Sequence, residues 1–241
     1  MRNDFSKRIP MNIALMLSGG VGTRLQSEIP KQYLCVGKNM IITQSLQTLV
    51  AHQEIDAIFI VAHEEWREQI ITDLKQAGEK TDKIKGFVMP GRTRQFSIWN
   101  GLEEIKRQYD TRVNGVLIHD AARPNLSFKM ITECMAELKE HEGVMPVLPM
   151  KDTVYLSENG NAVSKLLDRS KLFAGQAPEA FRFLAYYEAN KRLLPDKLYE
   201  INGSTEPAVM AGMDVVMIDG DENNYKITTE ADLKRFIRRI T

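Results

Sequence analysis

Cysteine is scarce in this chain. Cys35 and Cys134 are the only two, far apart and in no Cys-x-x-Cys pair. They are too few for a disulfide framework and read as small core residues of a reducing compartment. Also missing is any apolar run of the roughly 18 residues needed to cross a bilayer. Neither sign of charge is in excess, with 32 Lys and Arg against 32 Asp and Glu, so no global field favours nucleic acid or a membrane surface and any anion site must be local. No internal repeat, low-complexity tract or Pro/Ser-rich linker divides the 241 residues. The expected organisation is an N-terminal extension, 1–10, without the apolar h-region of a secretory signal, then one domain, 11–241, in the cytoplasm. A hydrophobic content of 43% with 27% charged residues suits a globular protein with a substantial core.

Glycine, by contrast, is concentrated near the start. The apolar run Ile13 to Leu17 reads as a short buried strand and leads into Ser18-Gly19-Gly20-Val21-Gly22-Thr23-Arg24, closed by Pro30-Lys31-Gln32-Tyr33-Leu34. Where no Cβ intervenes a ligand can approach the backbone, and successive N–H groups of such a turn point at anions. Arg24 adds a forked cation and Lys31 a compact one. The stretch reads as a triphosphate-binding loop, and its plainer alternative is a tight connection. The P-loop needs Gly-Lys-Ser/Thr after its spacer, and none follows. The dinucleotide fingerprint needs a third glycine where Leu25 stands, which argues against an NAD-linked dehydrogenase.

Further along, strands and helices alternate. Ile42, Leu46, Leu49 and Val50 form one helical stripe, Ile55 to Ala62 is strand-like, Glu64 to Gln76 an exposed helix, and Gly86 to Met89 a strand reaching Pro90-Gly91. A helix with Ile98, Leu102 and Ile105 inward precedes a strand, Val116 to Ile118, ending at His119-Asp120. Ile131, Cys134, Met135 and Leu138 stripe the next helix, and Val144 to Leu148 is another strand. This rhythm predicts an α/β fold, Rossmann-like, with a mainly parallel twisted sheet flanked by helices. Ligands in such sheets sit beyond the carboxyl ends of the strands, where the Gly19 loop, the Gly91 turn and Asp120 all fall. The rhythm breaks over 151–177, where Val154 to Leu156 and Ala162 to Leu166 flank Asn159-Gly160, a two-residue hairpin signal. Such an arm either lies loose on the surface or buries against something else. After it come a helix from about Glu179 to Leu194, a strand at Val215 to Ile218, and a last helix with Thr229 as N-cap.

The loop with Arg24, Pro30 and Lys31 resembles the signature of the sugar-phosphate nucleotidyltransferases, and within them the cytidylyltransferases acting on methylerythritol phosphate and ribitol phosphate. Gly91 with Arg94, Ser97, Asn100 and Gly101, then His119-Asp120-Ala121-Ala122-Arg123-Pro124, Asp152-Thr153, Asp168-Arg169, Gln176 with Pro178, and Asn224-Tyr225-Lys226-Ile227-Thr228 carry it across the chain in order. The resemblance implies transfer of CMP from CTP to a polyol or sugar phosphate with release of pyrophosphate. It also implies a homodimer in which the 151–177 arm embraces a second subunit.

Bringing two polyanions together is the main obstacle to that reaction, so cations should surround the transferred phosphorus and hold the attacking oxygen in line. Arg24, Lys31 and Lys226 are the candidates, although Lys226 also reads as an ordinary surface lysine. Ser18, Gly19, Gly20, Gly22 and Asp120 would hold the nucleotide, with Gly91 and Ser97 at the cytosine edge. Mg²⁺ is the expected cofactor, with Asp120 as its carboxylate; the alternative for Asp120 is a buried cap of the following turn. Arg123, Thr153 and Arg169 would read the acceptor, the last from the partner's arm or else only paired with Asp168. His63 and His119 have no nucleophile near them and read as structural.

Departures from the family pattern bear on the acceptor. The usual Thr-Asp pair falls on Asn202-Gly203, Arg92 replaces a residue that is usually Asp, and Ala177 and Glu179 interrupt the usual Gln-Thr-Pro-Gln. Tyr33, Asn100-Gly101-Leu102 and the double alanine after Asp120 favour 2-C-methyl-D-erythritol 4-phosphate. Ribitol 5-phosphate or another cell-surface polyol phosphate is the alternative acceptor, and a non-catalytic CTP-binding protein the alternative class.

Overall fold

A computed structural model describes residues 10–20 and 29–240. Most of the expected N-terminal extension, and Gly22 and Arg24 of the glycine-rich loop, lie outside the described residues.

The chain opens with β1 (Met11–Leu17), a small β2 (Cys35–Val36) and β3 (Asn39–Met40) pair, and α1 (Ile41–Ala51). It continues through β4 (Ala57–Val61), α2 (Glu64–Gln76), β5 (Ile84–Val88), α3 (Arg94–Tyr109), β6 (Val113–Asp120), α4 (Phe128–Glu137) and β7 (Gly143–Pro149). A hairpin, β8 (Val154–Leu156) with β9 (Lys165–Leu167), leads to β10 (Phe173–Gly175) and β11 (Glu179–Arg182). The last elements are α5 (Phe183–Lys191), α6 (Glu206–Met210), β12 (Val215–Asp219) and α7 (Glu230–Ile240).

The main sheet runs β10-β7-β11-β6-β1-β4-β5, with β12 also paired to β7. Its centre is parallel, β6 with β1, β1 with β4 and β4 with β5, while β11 and β10 enter antiparallel. Helices cover both faces because the central strands are apolar on both sides. Ala14 and Met16 of β1 face one core with Ile58 and Ile60 of β4, and Ile13 and Leu15 face the other with Phe59 and Val61. A smaller cluster of Val36, Ile41, Ile227 and Phe236 ties α7 and the segment before it to the first third of the chain. No helix among the described residues is long and apolar enough to cross a membrane.

Two local readings of the sequence are corrected. The helix expected from Glu179 begins instead at Phe183, and Glu179–Arg182 is a strand pairing with both β6 and β7. Pro178 does not prevent a helix after it, but the strand edges of β6 and β7 on either side outweigh the helical propensity of Glu and Ala. The arm's second strand is Lys165–Leu167, not Ala162–Leu166, with Val154 opposite Leu167 and Leu156 opposite Lys165. Asn159 explains the shift, because its Oδ1 accepts the Asn161 and Ala162 N–H groups at 2.9 and 3.0 Å and Gly160 takes φ +76°. Asn-Gly therefore forms the tip of a wider loop, 157–164, in place of a two-residue turn. The predicted N-cap of α7 is present. Thr229 Oγ1 accepts from Asp232 N, and the Asp232 carboxylate returns to the N–H groups of Thr228 and Thr229.

Asp73 fixes how α2 meets α1. Its buried Oδ2 accepts the Met40 N–H at 2.9 Å and the Thr43 hydroxyl, at the positive end of α1. Asp73→Ala strands those donors and is expected to lower the unfolding free energy by about 2–3 kcal/mol. Urea denaturation checks this, and a loss below about 0.5 kcal/mol would contradict it.

Candidate active site

The carboxyl ends of β1, β4, β5 and β6 open into one cavity of about 770 Å³, a size suited to a nucleotide-sized ligand. Its wall includes Ser18 to Gly20, Lys31, His63, Gly91 to Arg94, Ser97, Asp120 and Lys226.

Beyond β1 the backbone is held from behind. Ser18 N and Oγ both donate to the Val61 carbonyl, at 3.0 and 2.6 Å, while Gln32 Nε2 donates to the Ser18 and Gly20 carbonyls at 2.6 and 2.7 Å. Tyr33 adds its hydroxyl to Ser18 O at 2.8 Å and stacks on Trp66 at 4.4 Å. The N–H groups of Gly19 and Gly20 make no hydrogen bond to another described residue. Gly19 permits close contact with the β5 loop, since a Cβ there would lie 2.5 Å from Pro90. Gly91 is required more strictly, because a Cβ would lie 2.6 Å from the Phe96 backbone carbonyl carbon.

Ser97, on the cavity wall, also braces the Gly91 turn. Its hydroxyl donates to Thr93 O and accepts the Gly91 N–H, both at 3.0 Å, so its proton is committed within the protein.

Asp120, 7% exposed, is the electrostatic centre of the cavity. Its Oδ1 accepts Arg94 Nε and Nη2 at 3.2 and 3.1 Å, and its Oδ2 accepts Lys226 Nζ at 2.9 Å. Burial alone would raise this carboxyl, but the nearby charges of Arg94, Lys226 and Arg123 outweigh it and hold the group far below the usual carboxylate range. Arg94 also lies 3.8 Å from Glu179. Lys226 reaches the site because its segment is pinned to the Asp120 turn: Ile227 N donates to Ala122 O at 2.8 Å, and Arg123 Nη1 to Asn224 O at 2.7 Å.

Three expected acceptor residues do not line this cavity. Arg123, its side chain 13% exposed, is spent on Asn224 and on Asp120 at 3.8 Å. Thr153 is exposed on the arm, and Arg169 donates to Lys151 O at 2.7 Å. Gln32, Arg94 and Glu179 are the residues that reading the sequence left without a role. For Gln32 and Arg94 the signal was nearness to Lys31 and Gly91; for Glu179 it was the departure from the usual Gln-Thr-Pro-Gln, which carried no role because the segment was read as helix.

The donor set has one carboxylate, Asp120, on the cavity wall, and no group of three His, Cys, Asp or Glu exists among the described residues. That fits a hard divalent cation held by one carboxylate plus ligand phosphates, not an all-protein cage.

His119 is fully buried and donates from Nε2 to Arg123 O at 3.0 Å. Burial pushes its imidazole down from 6.5 to about 4, so it is neutral in the fold. The unfolded chain binds this proton more readily, so stability is full above about pH 6.5 and falls as the pH drops towards 4, by about 3 kcal/mol in all. His119→Asn is expected to flatten the loss of stability between about pH 7 and about pH 5. Urea titrations reading the same slope in both proteins would show that His119 is not its source.

The family model described as IspD, 2-C-methyl-D-erythritol 4-phosphate cytidylyltransferase, matches residues 12–237. A ribitol-5-phosphate cytidylyltransferase of Vibrio parahaemolyticus is 32% identical over 92% of this chain and 92% of its own length. The 2-C-methyl-D-erythritol 4-phosphate cytidylyltransferase of Thermotoga neapolitana is also 32% identical, over 93% of this chain and 94% of its own length. In bifunctional IspD/IspF relatives the chain spans about half the length, 55% of that from Paramagnetospirillum magneticum, at 33% identity over 92% of this chain. The crystal structure of the 4-diphosphocytidyl-2C-methyl-D-erythritol synthase of Anaerococcus prevotii shares the fold, with a TM-score of 0.80 at 24% identity over 96% of each chain. The chain therefore belongs to the IspD family of cytidylyltransferases.

Proposed function

We propose that this chain transfers CMP from CTP to 2-C-methyl-D-erythritol 4-phosphate and releases pyrophosphate. The observation that carries the reading is the convergence of Lys31, Arg94, Lys226 and Asp120 on one cavity with the Gly19-Gly20 and Gly91 turns. The acceptor phosphate is already ionised at neutral pH, so no general base is needed. An acceptor oxygen attacks the α-phosphorus of CTP, the bond to the bridging oxygen breaks, and pyrophosphate takes that electron pair. Lys31 and Lys226 oppose the charge that grows on the bridging and leaving oxygens; Arg24 is assigned the same part. The turn shaped by Ser97 presents the Gly91 backbone to cytosine. Asp120, together with the triphosphate, would hold Mg²⁺, which would supply further charge neutralisation.

Ribitol 5-phosphate is the second reading of the acceptor. What bears on it is that two of the family departures meet: Glu179 is bonded to Ser204 and Thr205, just beyond Asn202-Gly203. We further place the protein in the cytoplasm as a homodimer held by the arm. Tyr155, Val163 and Leu166 support this, being 57%, 67% and 60% exposed on a hairpin that buries little of itself. Leu166→Asp with Tyr155→Asp is expected to give a monomer by light scattering where the parent chain is dimeric; a monomeric parent would sink the arm's role.

The test of the reaction is pyrophosphate release with CTP, Mg²⁺ and a panel of polyol phosphates. Methylerythritol phosphate is expected to give the highest kcat/KM. A higher value for ribitol 5-phosphate would reassign the acceptor, and saturable CTP binding with no release for any acceptor would make the chain a binding protein. In the same assay Lys31→Ala is expected to lower kcat about 10²- to 10³-fold with little change in the KM for CTP. Lys31→Arg should recover little of it, because a planar fork does not replace a compact point charge.

A further inference from the structure

The reaction above makes no use of a buried acid that stands beside Arg94. Glu179, 7% exposed, stands at the start of β11, where β11 enters between β6 and β7. Both of its oxygens are engaged: Thr205 Oγ1 donates to Oε1 at 2.6 Å and Ser204 Oγ donates to Oε2. Ser204 is in turn anchored by the Tyr186 hydroxyl, which donates to its carbonyl at 2.6 Å. The same Oε2 lies 3.8 Å from Arg94 Nη2. Burial raises the Glu179 carboxyl above its ordinary range, against the pull of Arg94.

The geometry of Arg94 is what gives this acid a task. A guanidinium facing a carboxylate ordinarily makes two parallel bonds, one to each oxygen. Arg94 does not. Its Nε and Nη2 both converge on Oδ1 of Asp120, at 3.2 and 3.1 Å, and leave Oδ2 to Lys226. Nη2 is the nitrogen that also faces Glu179. Glu179 is thus a second acid beside the nitrogen that Asp120 holds, and the Ser204 and Thr205 hydroxyls bonded to its oxygens hold it short of hydrogen-bond distance from Arg94.

We propose that Glu179 is a positioning residue that shares Arg94 with Asp120, so that Oδ2 of Asp120 stays available to Lys226 and to the cavity. Without the Glu179 charge, Arg94 turns to span both Asp120 oxygens, and Lys226 is displaced from the position it needs beside the triphosphate. The kinetic side of this inference rests on the cytidylyltransferase reading; the geometric side does not.

Glu179→Gln tests it with little change of shape, since a carboxamide still pairs with the Ser204 and Thr205 hydroxyls. The crystal structure of the variant is expected to show Arg94 bonded to both oxygens of Asp120 and Lys226 Nζ moved off Oδ2. Turnover should fall about 10- to 100-fold at a KM for CTP changed less than about threefold, the pattern of misplaced groups and not of lost binding. Ser204→Ala, which frees Glu179 to pull harder, should act in the opposite sense and lengthen the Arg94 contacts to Asp120. It remains informative if Glu179→Gln fails to fold. Unmoved Arg94 and Lys226 in both variants would overturn the proposal, as would normal kcat with only a lower melting temperature. A parent chain with no turnover would fail the proposed function alone, because the two structures still decide the role of Glu179.

Discussion

One buried carboxylate, Asp120, sets the terms for the rest of the site. It lies at the end of the central strand β6, where desolvation makes an unpaired charge expensive, and it is kept ionised by cations drawn from two distant parts of the chain. Arg94 comes from the first turn of α3 and Lys226 from the segment after β12. Removing one partner from such a buried group costs far more than the pair contributes, about 3–5 kcal/mol against a near-neutral balance. The arrangement therefore constrains position more than it adds stability, and both α3 and the 223–228 segment must dock correctly for the carboxylate to be tolerated.

That constraint explains why so much polar bonding surrounds the site without facing the cavity. Arg123 and the buried Asn224 spend their side chains on joining three chain segments: Arg123 Nη1 holds Asn224 O, and Asn224 Nδ2 holds Ala177 O at 2.7 Å. Gln32 does the same for the loop after β1 by donating to two of its carbonyls. Fixed dipoles and charges act on a reacting group without first reorganising, so residues that never touch a ligand still govern how well those that do can work.

Much of the fold was legible because the parallel core imposes strong local patterns. β1 and β4 are apolar on both faces, and α1 and α4 carry clear stripes, so their existence and order followed from periodicity. Tertiary pairing hid the rest. Glu179–Arg182 is a strand only because β6 and β7 leave a slot for it, and nothing within those four residues reports that slot. The site divides in the same way. Glycine turns at strand ends were legible because a missing Cβ is a local fact, and Gly19 and Gly91 indeed have no room for one. The Arg94–Asp120–Lys226 arrangement was not, because side chains 26 and 106 positions apart reveal their contact only once the sheet is assembled. Ser97 shows the converse: a hydroxyl near a turn glycine suggests a ligand contact, whereas its proton goes to Thr93 and it accepts from Gly91.

Cationic and acidic residues are equal in number, but the balance holds only for the chain as a whole. Among the described residues of the cavity wall, Lys31, Arg92, Arg94 and Lys226 stand with a single carboxylate. Opposite charges elsewhere on the surface cancel at distances beyond about 8–10 Å, where salt screens them in any case. Within the cavity the low-dielectric walls preserve the local excess and focus it. A polyanion thus meets little long-range attraction and a strong field only once it enters, so its selection depends on fit to the cavity. With one carboxylate among four cations on the described wall, the cavity is short of cation ligands and rich in phosphate partners, so a hard cation would need the oxygens of a bound polyanion to complete its coordination.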